Sequence, residues 1–93
     1  MRRLVWSNTF KRAFRRTVRK RPMLRDDLEV TLTSLADNPF APQLATHKLK
    51  GELAGSWACS AGYDVSVIFQ FVKGVGKEDD IFLIELGTHD EVY

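Results

Sequence analysis

The strongest constraint on this chain is a change of hydrophobic period along its length. Ser7, Asn8 and Thr9 are good helix N-cap types, and after them Phe10, Ala13, Phe14 and Val18 recur at helical spacing. From Asp64 to Val72 the residues are instead β-branched and aromatic. There Val65, Val67, Phe69 and Phe71 alternate with Ser66, Ile68, Gln70 and Val72, the period of a strand. Pro22 ends the first helix and suits the first turn of a second, where its missing N–H costs nothing. Asp26, Asp27 and Glu29 sit near that N-terminus, where the helix dipole favours acids, and Leu24, Leu28, Thr31, Leu32 and Leu35 continue the buried stripe. Asp37-Asn38-Pro39 reads as the stop. So short a link predicts an antiparallel helical hairpin.

The remaining elements are strands. Leu4 to Trp6 reads as a first strand and Trp57-Ala58-Cys59 as another short one, followed by a turn at Ala61-Gly62. Lys73 to Asp80, with Gly74 and Gly76, reads as a hairpin loop. Ile81 to Leu86 is a last strand, apolar on both faces and therefore central or well covered. Phe40 to Ser56 is irregular, broken by Pro42, Gly51 and Gly55. The order βααβββ, a small mostly antiparallel sheet with an N-terminal helical hairpin packed on one face, is an α+β fold in a single domain over residues 1–93.

Composition narrows the function classes. With 44% hydrophobic and 28% charged residues, the chain has a soluble globular composition. No apolar run is long enough for a membrane helix, and the basic start has no apolar segment of the kind a secretory signal needs. Cys59 is the only cysteine, which excludes an internal disulfide and a thiolate zinc site, and its apolar flanks argue against a reactive thiol. A reduced, cytoplasmic protein is the expectation. Walker-type, dinucleotide and serine-hydrolase motifs are absent.

Charge is distributed unevenly. The net charge is +2, yet Met1 to Arg25 holds ten basic residues and no acid. The rest sets four lysines against all twelve acids, a net of −8. So much unbalanced positive charge gains free energy from a polyanion, either nucleic acid or an acidic stretch of another protein. Arg12, Arg15, Arg16 and Arg19 on the first helix are the candidate contacts.

Two histidines are the candidates for proton transfer. His47 opens His47-Lys48-Leu49-Lys50-Gly51, and His89 lies in Gly87-Thr88-His89-Asp90. Imidazole titrates near neutrality, so it can take and give a proton. Lys48 and Lys50, two apart on an extended segment, would share a face and could hold a phosphate. His47, His89 and Asp90 are too few for a metal site, and no cofactor is expected. Trp57, Tyr63 and Tyr93 could pack or could stack on a nucleobase.

These residues, taken with Trp57, the Tyr63-to-Phe69 strand and Gly87-Thr88-His89-Asp90-Glu91-Val92-Tyr93, resemble the RelE/ParE toxin superfamily of bacterial toxin–antitoxin modules. Within it the match is to the YafQ-like mRNA interferase branch, and it covers essentially the whole chain. The resemblance implies a small antiparallel sheet with a helical hairpin, in agreement with the pattern above. It also implies a ribosome-dependent endoribonuclease that needs no metal. By the motif, His47 and His89 would be general acid and base, and Tyr93 the terminal aromatic that orients the substrate base. The implied partners are a cognate antitoxin, mRNA and ribosomal RNA, with operator DNA reached only through the antitoxin complex and no membrane. The mechanism requires the two imidazoles to converge in a cationic cleft.

One position departs from the superfamily. Many relatives carry an arginine where this chain has Ser66, and a serine cannot stabilise transition-state charge. The YafQ-like branch uses extra histidines instead, which this chain lacks. Either Lys48, Lys50 or a first-helix arginine substitutes, or the protein is attenuated: a non-catalytic antitoxin partner, an operator co-repressor, or a gyrase-type inhibitor.

Overall fold

The computed structural model describes residues 1–92, the side chains of His89 and Asp90 excepted. Strand β1 (Leu4–Trp6) leads into helix α1 (Asn8–Lys20), then α2 (Leu24–Asp37), β2 (His47–Lys48), β3 (Trp57–Ala61), β4 (Val65–Val72), β5 (Asp80–Thr88) and the single turn α3 (His89–Val92). The strands form one sheet in the order β1-β5-β4-β3-β2. Its pairs are antiparallel except β1 with β5, which run parallel. That parallel pair is possible because the whole helical hairpin and three further strands separate its members in sequence.

Local chemistry explains the helices. Ser7 caps α1, its Oγ accepting the Phe10 N–H at 3.0 Å. The helix closes at Arg21, whose N–H reaches the Thr17 carbonyl. Trp6 packs edge-on against Phe10 and Phe14, at 4.9 and 5.1 Å between ring centroids, and so ties β1 to α1. Pro22 falls just ahead of the second helix rather than inside it. The Leu24 N–H bonds the Arg21 carbonyl and the Arg25 N–H the Pro22 carbonyl, a tight turn from which α2 starts at Leu24. Asn38 ends α2, as the Asp37-Asn38-Pro39 signal predicts.

Both helices lie on one face of the sheet, α1 against β5 and α2 against β3. One hydrophobic cluster fills the layer between: Phe10, Ala13, Leu24, Leu28, Leu32 and Leu35 from the helices meet Cys59, Ala61, Val65, Val67, Phe69, Ile81, Leu83 and Leu86 from the strands. β5 lies between β1 and β4, as its apolar character on both faces implies. Ile84 is an extra residue in β5, because Ile68 pairs with Glu85 and Phe69 with Leu83. This bulge keeps Leu83 and Leu86 both on the core side despite their odd spacing.

Several boundaries differ from the sequence reading: β3 runs on to Ala61, β5 runs on to Thr88, and His89–Val92 closes as a helical turn. His47–Lys48 forms a fifth strand inside the irregular stretch; two residues paired only with β3 are too short to show a period. Asp80 begins β5 rather than ending the loop, paired with Val72 and ion-paired to Arg3 at 3.2 Å. Gly74 lies so close that a Cβ there would collide with the Asp80 carboxylate.

Candidate functional site

The sheet register sets the geometry. On the face turned away from the helices, strand alternation places His47, Ala58, Ser60, Ser66, Ile68, Gln70, Phe82, Glu85 and Gly87. His47 stands on the edge strand, exposed, opposite Ala58, which in turn stands opposite Ile68. Ala58 and Ile68 are buried, so the centre of this face is a covered apolar floor. Glu85 and, at the start of β5, Asp80 are the acids of the strands on this face; the Glu85 carboxylate accepts the N–H of Leu86, and Asp80 is paired with Arg3.

His47 is held in one tautomer. Its Nδ1 lies 3.0 Å from the Ala45 carbonyl oxygen. A carbonyl only accepts, so Nδ1 carries the proton and the lone pair is on Nε2, the basic site of the neutral ring. Ala45 presents that carbonyl from a left-handed conformation, φ 50° and ψ 40°, in which it is alone among the non-glycine residues described. Nothing in the sequence signals this, because glycine or asparagine is the residue such a backbone ordinarily selects.

Lys48 points the other way. It pairs across the sheet with Trp57, on the helix side, and its Nζ sits 5.4 Å from the centroid of the Trp57 ring. Trp57 itself packs into an aromatic cluster with Phe40 and Phe71. Trp57 is therefore a packing residue, whereas Tyr63 is fully exposed. β2 stops at Lys48, and Lys50 lies exposed beyond it, just before the turn Gly51–Leu53. The fold thus places Lys48 and His47 on opposite faces.

The second histidine lies at the far end of β5. Adjacent strands are about 4.8 Å apart, so His47, three strands away, is about 14 Å across the sheet from β5. Moreover, His89 follows Thr88, which pairs with Val65, three residues beyond the Ile68 row of His47. The two histidine backbones are therefore not in contact. The His89 side chain and Tyr93 lie outside the described residues, and with them the convergence that the motif implies. The turn bearing His89 is itself well defined by a capping box: the Glu91 carboxylate reaches back to the Thr88 N–H at 2.8 Å. Thr88-His89-Asp90-Glu91 spells that signature in the sequence. Glu91 is held below the ordinary glutamate range, first by the Thr88 hydrogen bonds and then by the nearby positive charges of Arg16 and Lys20.

The basic N-terminal block divides in two. Arg2, Arg3, Arg21 and Arg25 pair with Glu78, Asp80, Asp64 and Glu29. Arg12, Arg15, Arg16 and Arg19 form no ion pair among the described residues. They are exposed on one stripe of α1 and line a shared concavity. Cys59 is buried and its thiol is pushed up to about 12 by burial, which removes it from nucleophilic chemistry.

The chain matches the family model described as the bacterial toxin of type II toxin–antitoxin systems, YafQ, over residues 2–93. It belongs to that family. No curated protein sequence matches it. Among solved structures, a metal-bound toxin from Helicobacter pylori superposes with a TM-score of 0.78 at 28% identity over the full length of both chains. YafQ from Escherichia coli superposes with a TM-score of 0.77 at 18% identity, covering 100% of this chain and 99% of that one. The E. coli DinJ–YafQ complex gives 0.75 at 17% identity with the same coverage. At such identities the last two speak for the fold.

Proposed function

We propose that this protein is a ribosome-dependent mRNA endoribonuclease, acting in the cytoplasm as one toxin domain over residues 1–93 and silenced by a cognate antitoxin. The observation that carries this reading is the family match over nearly the whole chain. In the reaction the RNA 2′-oxygen attacks the adjacent phosphorus, a base takes its proton, and an acid protonates the departing 5′-oxygen. His47, with Nδ1–H donated to Ala45 and Nε2 basic, suits the base. His89 is then the acid, and Tyr93 orients the base of the substrate nucleotide. The arginine stripe on α1 contacts ribosomal RNA, and Lys50 contacts a backbone phosphate; Lys48, seated on Trp57, is the weaker candidate for that role. The antitoxin partner follows from the family description and from a relative solved as the DinJ–YafQ complex. Operator DNA would be reached through that complex.

The test is cleavage of mRNA on programmed ribosomes by purified protein, mapped by primer extension. Wild type should produce defined cuts, and His47→Ala and His89→Ala should each reduce them by about 10²-fold or more, the usual contribution of one acid or base. Unchanged cutting in both variants would refute the mechanism. A second reading, an attenuated toxin that binds ribosome and antitoxin without cutting, is favoured by one observation. Ser66 faces Ser60 and Gly87, and none of the strand residues described on that face is an arginine or lysine. Ribosome binding without cut products would establish it.

A further inference from the structure

We infer that the cavity beside α3, between the C-terminal half of α1 and the ends of β4 and β5, binds a backbone phosphate of single-stranded RNA in exchange for the Glu91 carboxylate. The cavity measures about 220 Å³ and is lined by Arg16, Thr17, Lys20, Arg21, Val65, Gly87, Thr88 and Glu91. Its cations differ in freedom. Arg21 donates to both carboxylate oxygens of Asp64 at 3.2 Å and forms a fixed wall. Arg16 and Lys20 form no ion pair among the described residues, and Arg16 also belongs to the arginine stripe, so the cavity opens onto that cationic surface.

Glu91 is already the resident anion. Its carboxylate lies on the cavity wall, and its depressed pKa reports the attraction of Arg16 and Lys20 on top of the Thr88 hydrogen bonds. Gly87 makes this possible, since a Cβ there would lie 3.0 to 3.2 Å from Val92 and Glu91 atoms and would push α3 away. A phosphate satisfies the same cations with more acceptor oxygens and a guanidinium-matched geometry. The turn that bears Glu91 also bears His89, assigned above to the scissile phosphate, and the cavity meets the arginine stripe assigned above to RNA. This favours RNA over an acidic peptide. The inference rests on the proposed RNA chemistry for the identity of the ligand but not for the existence of the site.

Glu91→Gln isolates the charge, because glutamine retains the oxygen that caps α3. The probe is a fluorescein-labelled single-stranded RNA with 2′-O-methyl groups, which resists attack by its own 2′-oxygen, titrated against the full chain over a salt series. Glu91→Gln should tighten binding by about twofold, the low end for exposed charges that attract without direct contact. Arg16→Gln and Lys20→Gln should each weaken it and lower the salt slope by about 0.7. The Glu91→Gln gain should vanish in the Arg16→Gln/Lys20→Gln background, and RNA should shift the Thr88 amide resonance of the wild-type protein. A neutral Glu91→Gln, a gain that persists in that background, or a gain for a poly-glutamate peptide but not for RNA would overturn the inference. Absence of mRNA cleavage together with the expected binding cycle would instead refute the nuclease reading and leave the site standing.

Discussion

Replacing Ala45 by glycine should stabilise this protein, the reverse of what such a substitution does almost everywhere else. Ala45 is held at φ 50°, ψ 40°, where a Cβ crowds the following carbonyl. That conformation costs a non-glycine residue about 1–2 kcal/mol. Glycine removes the cost but gives up about 0.5–1 kcal/mol through the freedom it regains on unfolding. The balance is a gain of about 0.5–1 kcal/mol. With a urea m-value of about 1–1.5 kcal/mol/M for a small domain, the midpoint should rise by about 0.5 M. Ala13→Gly supplies the contrast: Ala13 is buried inside α1, and glycine there should cost at least about 1 kcal/mol. A fall in the Ala45→Gly midpoint would refute the strain argument. The strain also has a use, because the carbonyl it presents fixes the His47 ring. Glycine keeps that carbonyl and that backbone conformation, so ribosomal mRNA cleavage by Ala45→Gly should be unchanged while stability rises, whereas Ala45→Val, whose branched side chain disfavours the left-handed region, should lower both.

Three further outcomes follow from the same structure. Gly74→Ala drives a Cβ into the Asp80 carboxylate and disturbs its pairing with Arg3, so it should cost about 1–3 kcal/mol in a urea titration. Cys59, buried with its thiol pushed up to about 12, should resist Ellman's reagent at pH 8 in the native protein and react fully once the chain is unfolded. Glu91, whose carboxyl is depressed on folding, stabilises the folded protein above the unfolded glutamate pKa, and that contribution is lost as pH falls through the folded value. The Thr88 amide resonance should titrate below the ordinary glutamate range, and Glu91→Gln should abolish that titration.

The parts of this fold readable in the sequence are those with a period or a punctuating residue. Phe10, Ala13, Phe14 and Val18 mark α1 because its buried face repeats every helical turn, and Ser7 and Pro22 bound it by cap chemistry and a missing donor. Strand β4 is legible for the same reason, its alternation spanning eight residues. By contrast β2 has two residues and no period, so the edge that carries His47 became visible only through its pairing with β3. The opposite orientations of His47 and Lys48 follow once that pairing is known. The carbonyl of Ala45 left no trace at all, since alanine is the residue a left-handed backbone least advertises. Thr88-His89-Asp90-Glu91 carries the spacing of a capping box, but one turn of helix has no hydrophobic period to mark that a helix begins there.

The arginine stripe on α1 is harder to explain as a merely solvated face than its charge alone suggests. Arg12 faces Arg15 and Arg16, and Arg19 faces the same two, at the spacings where like charges repel by about 0.2–0.5 kcal/mol per pair. The first turn of α1 contains no acid to complement the helix dipole. A face selected only for solubility would interleave glutamates and gain from the same spacings. Instead α1 is held by Phe10 and Ala13 in the core and by the Trp6 and Phe14 rings, and its outer surface works against the helix. Replacing all four arginines by glutamine, a residue of similar helix propensity, should therefore leave the urea midpoint unchanged or raise it at low salt. The same variant should lose binding to ribosomes. Glutamine at the paired Arg3 or Arg21 should do the opposite, lowering stability with less effect on binding. If the four-arginine variant instead unfolds more easily, the stripe is structural and its fitness for a polyanion is incidental.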